Sequence, residues 1–321
     1  MNMQKTRILV AATLGLLAAA CGGRKGASQA PASRPFPQIQ VPSLIEDRDE
    51  AMVYVADHYF DRLTDLSGGF VCDSVLVNGV DKAEVEQAVS SWCLILSNIP
   101  LEQAQQACGR VFKKLETCEK TDSSSNLFEV LTAFIDDYLY DPNSPMRNED
   151  VYAYFAAAKA ESGLYEPAQR DVFAETARRC RMNQVGTKAA DFKFSDKNGR
   201  IGHLWGIDAE LTILFFSNPG CEACKEIIEK LKSYPEMEEM IAAGELAVVN
   251  VYIDEDLGEW YAYMPVYPES WHNVYDPNLI IRNDLLYDVR AIPSLYLLNR
   301  DKIVLMKDAI PENLLSAVFG R

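Results

Sequence analysis

Phe215-Phe216-Ser217-Asn218-Pro219-Gly220-Cys221-Glu222-Ala223-Cys224 sets two cysteines, two residues apart, between a strand-like run and a helix-like run. Upstream, Leu211-Thr212-Ile213-Leu214-Phe215-Phe216 is continuous, apolar and rich in β-formers, the pattern of a strand covered on both faces. Downstream, Cys224, Ile227, Ile228 and Leu231 recur at helical spacing, with Lys225, Glu226, Glu229 and Lys230 on the other side. Cys221 is thereby predicted near a helix N-terminus, where unpaired backbone N–H groups and the positive end of the dipole favour a thiolate over a thiol. Cys224 follows about one turn deeper, and its natural role there is to resolve a mixed disulfide by attacking Cys221. Glu222 opposes the thiolate, whereas Lys225 can approach it on the same helical face.

Two other readings of the pair are half of a zinc site and a purely structural disulfide. Zinc needs a second pair of ligands. No other CxxC occurs, and none of His58, His203 and His272 forms a close ligand pair with another His or Cys, so no metal is expected. The strand-then-helix context favours a redox dithiol over a structural disulfide.

At the N-terminus, Lys5 and Arg7 form a basic region, Ile8 to Ala20 is a weakly polar to apolar run, and Ala18-Ala19-Ala20 precedes Cys21. The segment 1–20 resembles a bacterial lipoprotein signal, and its apolar run is shorter than the roughly 20 residues a permanent span needs. The resemblance implies cleavage before Cys21 and lipidation of Cys21, although Ala18 stands where such motifs more often carry Leu. A plain secretory signal is the alternative. Residues 21–42 are rich in Gly, Ser, Ala, Pro and Gln and read as a flexible tether. With no acidic residue close behind Cys21, the expected location is the cell envelope, lipid-anchored and facing the periplasm.

A chain of 321 residues with 48% hydrophobic content can bury a substantial core and suits about two domains once a signal is removed. No further apolar stretch of membrane length occurs. The net charge of -16, without clustered Lys and Arg, argues against nucleic acid as a partner.

The two domains differ in pattern. Residues 43–182 read as helical: Ala51 to Leu66, Asp81 to Leu96, Leu101 to Cys118, Asn126 to Tyr140, Glu149 to Ser162 and Pro167 to Arg181. Ile99-Pro100 separates the second and third segments, Asp141-Pro142-Asn143-Ser144-Pro145 the fourth and fifth, and Pro167 suits a helix start. No fixed-period repeat is visible, which favours a compact bundle.

This half carries Cys72, Cys93, Cys108, Cys118 and Cys180, an odd number that leaves at least one without an internal partner. Cys108 and Cys118 lie about 15 Å apart along an unbroken helix, too far for a disulfide. Folding the second and third helices back at Pro100 brings Cys93 near Cys108, so that pair is a candidate structural disulfide. The alternative is that these cysteines are small buried apolar residues.

Residues 183–321 alternate strands and helices. Phe192 to Phe194 and Ile201 to Leu204 flank a hairpin-like turn at Asp196-Lys197-Asn198-Gly199. After the CxxC helix comes a second central strand, Leu246 to Ile253. Glu255 to Asp276, with Trp260, Tyr261, Tyr263, Tyr267, Trp271 and Tyr275, is longer than a simple connection. It reads as a packed helical insertion in preference to a wall of a substrate groove, since aromatic residues mostly supply buried area. A short helix around Leu279 to Tyr287, strands Ser294 to Leu298 and Ile303 to Met306, and a helix from Pro311 to Phe319 complete the chain.

From about residue 183 onward the chain resembles the thioredoxin superfamily, specifically membrane-tethered extracytoplasmic thioredoxin-like proteins involved in thiol reduction and cytochrome c maturation. The resemblance rests on Val185-Gly186-Thr187-Lys188-Ala189-Ala190-Asp191-Phe192, the strand with Cys221-Glu222-Ala223-Cys224, and Val289-Arg290-Ala291-Ile292-Pro293-Ser294. It implies an α/β thioredoxin-like domain with a mixed central sheet, following the all-α helical domain that the pattern of residues 43–182 predicts. It also implies catalytic Cys221 and Cys224, and a cis peptide bond before Pro293 whose neighbourhood, with Ile292, holds an extended substrate; proline makes a cis bond accessible in a folded chain. The partners implied are thiol- or disulfide-containing envelope proteins and a membrane redox partner, and dithiol exchange needs no cofactor.

Departures from the family pattern are Gly220 where many thioredoxins have Trp, Ala223 where Pro is common, and Phe215 and Phe216 where thioredoxin keeps a buried acid in its central strand. His58-Tyr59-Phe60-Asp61 and the stretch from Leu139 to Glu149 resemble an uncharacterised helical domain that precedes thioredoxin-like domains in lipoproteins of the Bacteroides group. His58 reads as a hydrogen-bonded structural residue more readily than as a catalytic one. Arg147 beside Glu149 and Asp150 reads as a local salt-bridge network, worth little if exposed. A second functional reading makes the chain a non-catalytic envelope binding module whose CxxC is a structural disulfide.

Overall fold

Side-chain caps set where the first helices begin in the computed structural model, which describes residues 33–320. Asp47 accepts hydrogen bonds from the N–H groups of Asp49 and Glu50 and opens α1 (Arg48–His58), Asp81 opens α2 (Lys82–Leu96), and Pro100 sets the start of α3 (Leu101–Thr121). α4 (Leu127–Leu139) and α5 (Glu149–Glu161) follow, the latter capped by Asn148, and Pro167 occupies the first turn of α6 (Pro167–Cys180). The signal 1–20, Cys21 and the first part of the tether lie outside the described residues.

α1 is shorter than its apolar pattern predicts. The chain leaves the helix after His58, and the turn that follows directs Phe60 and Leu63 into the core, where both are buried. A two-residue hairpin, β1 (Leu76–Val77) and β2 (Val80–Asp81), which the sequence did not signal, then leads into α2. Residues expected to belong to a flexible tether instead lie along this unit: Arg34 donates to the carbonyl of Asn78 at 2.9 Å, its guanidinium covers the Phe70 ring at 3.8 Å, and Phe36 packs on the core.

The helices close around Trp92, Phe112 and Phe155, all buried, and the Trp92 indole N–H donates to the carbonyl of Ala56 at 2.9 Å. Cys93 and Cys108 share this core, but the proposed disulfide between them is not formed and both are free thiols. They pack as small apolar residues; burial pushes the Cys93 thiol up to about 12 and Cys108 well above its usual value, the latter aided by Cys93 and Asp136 nearby.

The second unit is a seven-stranded mixed sheet among the described residues: β3 (Lys193–Asp196), β4 (Ile201–His203), β5 (Leu211–Phe216), β6 (Leu246–Tyr252), β7 (His272–Tyr275), β8 (Ser294–Asn299) and β9 (Val304–Met306). Their spatial order is β4-β3-β7-β6-β5-β8-β9; β5, β6 and β7 run parallel and the other pairs antiparallel. One face packs Ile213, Phe215 and Val248 against α7 (Glu222–Lys232), α8 (Pro235–Ala243) and α11 (Pro311–Phe319). The other packs Leu214, Phe216, Val249 and Val251 against Tyr287, Tyr296 and Ile281, which lies in the short α10 (Ile280–Asn283).

The aromatic stretch after β6 forms α9 (Leu257–Tyr263) and buries Trp260, Tyr267 and Trp271, as packing predicts. It also supplies β7, which sequence reading missed because His272-Asn273-Val274-Tyr275 is short, half polar and framed by aromatic residues.

Candidate active site

β5 and α7 bring the CxxC pair to the sheet edge where β5 ends. Gly220 makes the turn with φ +74°, and a Cβ built there would meet nothing within 4 Å. The backbone, not crowding, therefore calls for glycine. Cys221 is the N-cap of α7 and its Sγ accepts from the Cys224 N–H at 3.1 Å. The two cysteines form a disulfide with Cα atoms 5.2 Å apart. Cys221 is half-buried, whereas Cys224 is 1% exposed and packs with Ile227, Ile228 and Leu231. The first cysteine is thus open to solvent and the second is not.

Lys225 places its Nζ 3.9 Å from a Glu222 carboxylate oxygen, so the two charges flanking Cys221 answer one another on an exposed helix face. Across the site, the Ile292–Pro293 bond is cis and the carbonyl oxygen of Ile292 lies 4.0 Å from Cys221 Sγ. The structure therefore brings together Cys221, Cys224, Ile292 and Pro293, which stand about 70 residues apart in sequence. A groove of about 390 Å³ continues from Ile292 past Val289 and Tyr287 towards Asp254 and Arg282.

From the end of β5 across β6 to β7 runs a line of polar groups that the sequence did not single out. Ser217 Oγ donates to Asn250 Oδ1 at 2.5 Å, Asn250 Nδ2 to Asn273 Oδ1 at 3.0 Å, and Asn273 Nδ2 to the carbonyl of Pro268 at 2.7 Å. Ser217 and Asn250 are both 1% exposed. At the rim, Asn218 donates to Asp254 at 2.5 Å, and Arg282 reaches the same carboxylate at 3.2 Å. A polar residue inside the apolar run Leu246 to Ile253 was the one signal available for Asn250.

Other candidates lie elsewhere. His58 Nδ1 sits 2.6 Å from Asp61 on the helical unit, a local structural pair. Arg147 is not a surface residue: its side chain is 7% exposed and pairs with Asp308 of the second unit, so the network is interdomain and buried. A larger cavity of about 830 Å³, lined by His203, Tyr267, Trp271 and His272, contains none of the dithiol or Pro293-segment residues. Burial lowers the pKa of His272. No group of three or more His, Cys, Asp or Glu among the described residues is placed to hold a metal ion. Nor is any helix among them long and apolar enough to cross a membrane.

Residues 10–183 match a family model described as a domain of unknown function (DUF5106). The crystal structure of a thioredoxin-like protein from Bacteroides caccae is similar over 90% of this chain and 99% of its own, at 32% identity and a TM-score of 0.77. The C-terminal domain of an uncharacterized protein from Bacteroides fragilis is 44% identical, covering 43% of this chain and 98% of its own at a TM-score of 0.41. A domain of a possible thiol-disulfide isomerase from Cytophaga hutchinsonii is 24% identical over 43% of this chain and 92% of its own, at a TM-score of 0.36. Comparison with curated proteins finds no match.

Proposed function

The chain belongs to the thioredoxin-like proteins and carries a DUF5106 region ahead of that unit, and on this footing we propose that it is a membrane-tethered periplasmic thiol–disulfide oxidoreductase acting on envelope proteins. The observation that carries the reading is the asymmetry of the pair: Cys221 half-exposed at a helix N-cap and facing the Ile292 carbonyl, Cys224 buried directly behind it.

In the reducing direction the Cys221 thiolate, stabilised by the α7 N-terminus, attacks one sulfur of a substrate disulfide. An S–S bond forms between Cys221 and the substrate, and the other substrate sulfur leaves as a thiolate. Cys224, deprotonated, then attacks Cys221 Sγ, closing the Cys221–Cys224 disulfide and releasing the second substrate thiolate. Two electrons pass from the dithiol to the substrate, and each released thiolate takes up a proton. The reverse sequence oxidises a substrate dithiol. Ile292 and Pro293 supply the backbone against which an extended substrate segment aligns beside Cys221.

The sequence from Lys5 to Cys21 supports tethering through a lipidated Cys21. The direct test of the chemistry is Cys224→Ser, which removes the resolving thiol and should leave substrates covalently held on Cys221. Wild-type protein without dithiol turnover, together with a variant that captures nothing, would overturn the reading.

A further inference from the structure

The segment Arg290-Ala291-Ile292-Pro293-Ser294 is tied to the helical unit at both ends, directly at Arg290 and through Asp308 of its own unit at Ser294. At its start, Arg290 Nη2 and Nε donate to Glu149 Oε1 at 2.6 and 3.0 Å, Nη2 also donates to the carbonyl of Tyr140 at 2.6 Å, and the guanidinium lies 3.8 Å over the Tyr140 ring. At its end, Ser294 Oγ donates to Asp308 Oδ1 at 2.8 Å, and that same oxygen is paired with Arg147.

Arg147 and Glu149 stand two residues apart at the start of α5 and approach each other to 3.9 Å. Lys307 closes the arrangement with its Nζ 3.0 Å from Glu149 Oε2 while donating to the carbonyls of Cys180 and Met182 at 2.9 Å. Glu149 is 1%, Arg147 7%, Asp308 5% and Arg290 15% exposed by side chain, so these are desolvated contacts whose geometry water does not relax.

We infer that Glu149 is a positioning residue for the redox site: through Arg290 on one side and the Arg147–Asp308–Ser294 chain on the other, the helical unit holds the Ile292–Pro293 backbone in register with Cys221. The inference deepens the oxidoreductase reading and rests on it. It gives the helical unit a part in substrate binding without any contact to substrate. Arg290 alone would leave the Ser294 end free, and Asp308 alone would leave the Arg290 end free. Glu149 is the group that Arg290, Lys307 and Arg147 share.

The test uses the full chain and the variants Glu149→Gln, which keeps the shape and removes the charge, and Arg290→Lys, which keeps the charge and loses the bidentate fork. Exchange between dithiothreitol and a peptide disulfide is measured alongside amide hydrogen exchange across residues 289–295 and 211–216. For both variants the expected result is a KM raised about threefold or more with kcat within about twofold of wild type. Amides of 289–295 should exchange about tenfold faster while those of β5 stay unchanged.

Iodoacetamide, too small to need the segment, should alkylate Cys221 at the wild-type rate. A wild type without exchange on the peptide disulfide overturns the oxidoreductase reading and this inference with it. A wild type that turns over overturns the inference alone if the variant that folds keeps its KM, keeps its local protection, or loses protection equally in β5. Should Glu149→Gln not fold, Arg290→Lys decides by the same criteria.

Discussion

Cys221 Sγ stands 4.0 Å from the carbonyl oxygen of Ile292, so the sulfur that would receive a substrate already faces the backbone that would align it. Nothing in the surrounding sheet has to move to assemble the two.

The first prediction concerns which thiols react. In reduced native protein at neutral pH, iodoacetamide should label Cys221 well before Cys224, which is 1% exposed. Cys93 and Cys180 should stay unlabelled, since burial pushes both thiols up to about 12. Peptide mapping after brief alkylation reads this directly. Mapping after denaturation without reductant should recover Cys93 and Cys108 as alkylated free thiols.

Gly220 makes the second prediction local to the turn. At φ +74° an L side chain is strained although space is open, so Gly220→Ala should cost about 1 kcal/mol in urea unfolding without filling any cavity. The same strain would apply to a Trp at this position.

The buried chain from Ser217 through Asn250 to Asn273 supplies the third. Asn250→Ala takes away the acceptor of the Ser217 hydroxyl and the donor to the Asn273 amide oxygen, and a loss of about 2–4 kcal/mol is expected. Ser217→Ala removes only the first link and should cost less. Chemical denaturation of both variants at one pH makes the comparison.

Asp150 gives the interface a pH dependence. Burial raises its carboxyl to about 6, against the attraction of Lys307 and the hydrogen bond from Val185 N–H; Glu149 and Asp308 nearby add to the rise. Between the ordinary value of 3.8 and about 6 the folded chain holds a proton that the unfolded chain has lost, so this group's contribution to stability falls as pH rises through that window. The total is about 3 kcal/mol. Asp150→Asn removes the dependence, and its stability relative to wild type should improve from pH 4 to pH 7. A difference that stays flat across that range would contradict the assignment.

What could be read in the sequence follows the range of each interaction. The β5 run, the helical spacing after Cys221 and Pro293 before a strand are local patterns, and they carried the C-terminal fold and the placement of the site. Helix starts at Asp81, Pro100 and Pro167 were legible for the same reason, since a capping side chain or a proline acts within a few residues. Arg290 and Glu149, by contrast, are 141 residues apart, and nothing in either charge run announces that it is buried. Arg147-Asn148-Glu149-Asp150 looks like an exposed network until the second unit covers it. Cys93 and Cys108 show the complementary limit: folding back at Pro100 places both in one core, but periodicity cannot say whether two sulfurs meet.

The measurement that bears most directly on the central claim is capture by Cys224→Ser in the full chain. Covalent adducts that run through Cys221, disappear on reduction and are absent from the Cys221→Ser/Cys224→Ser double variant are the predicted result. No adduct from the single variant, with no dithiol turnover by the wild type, would contradict the oxidoreductase assignment.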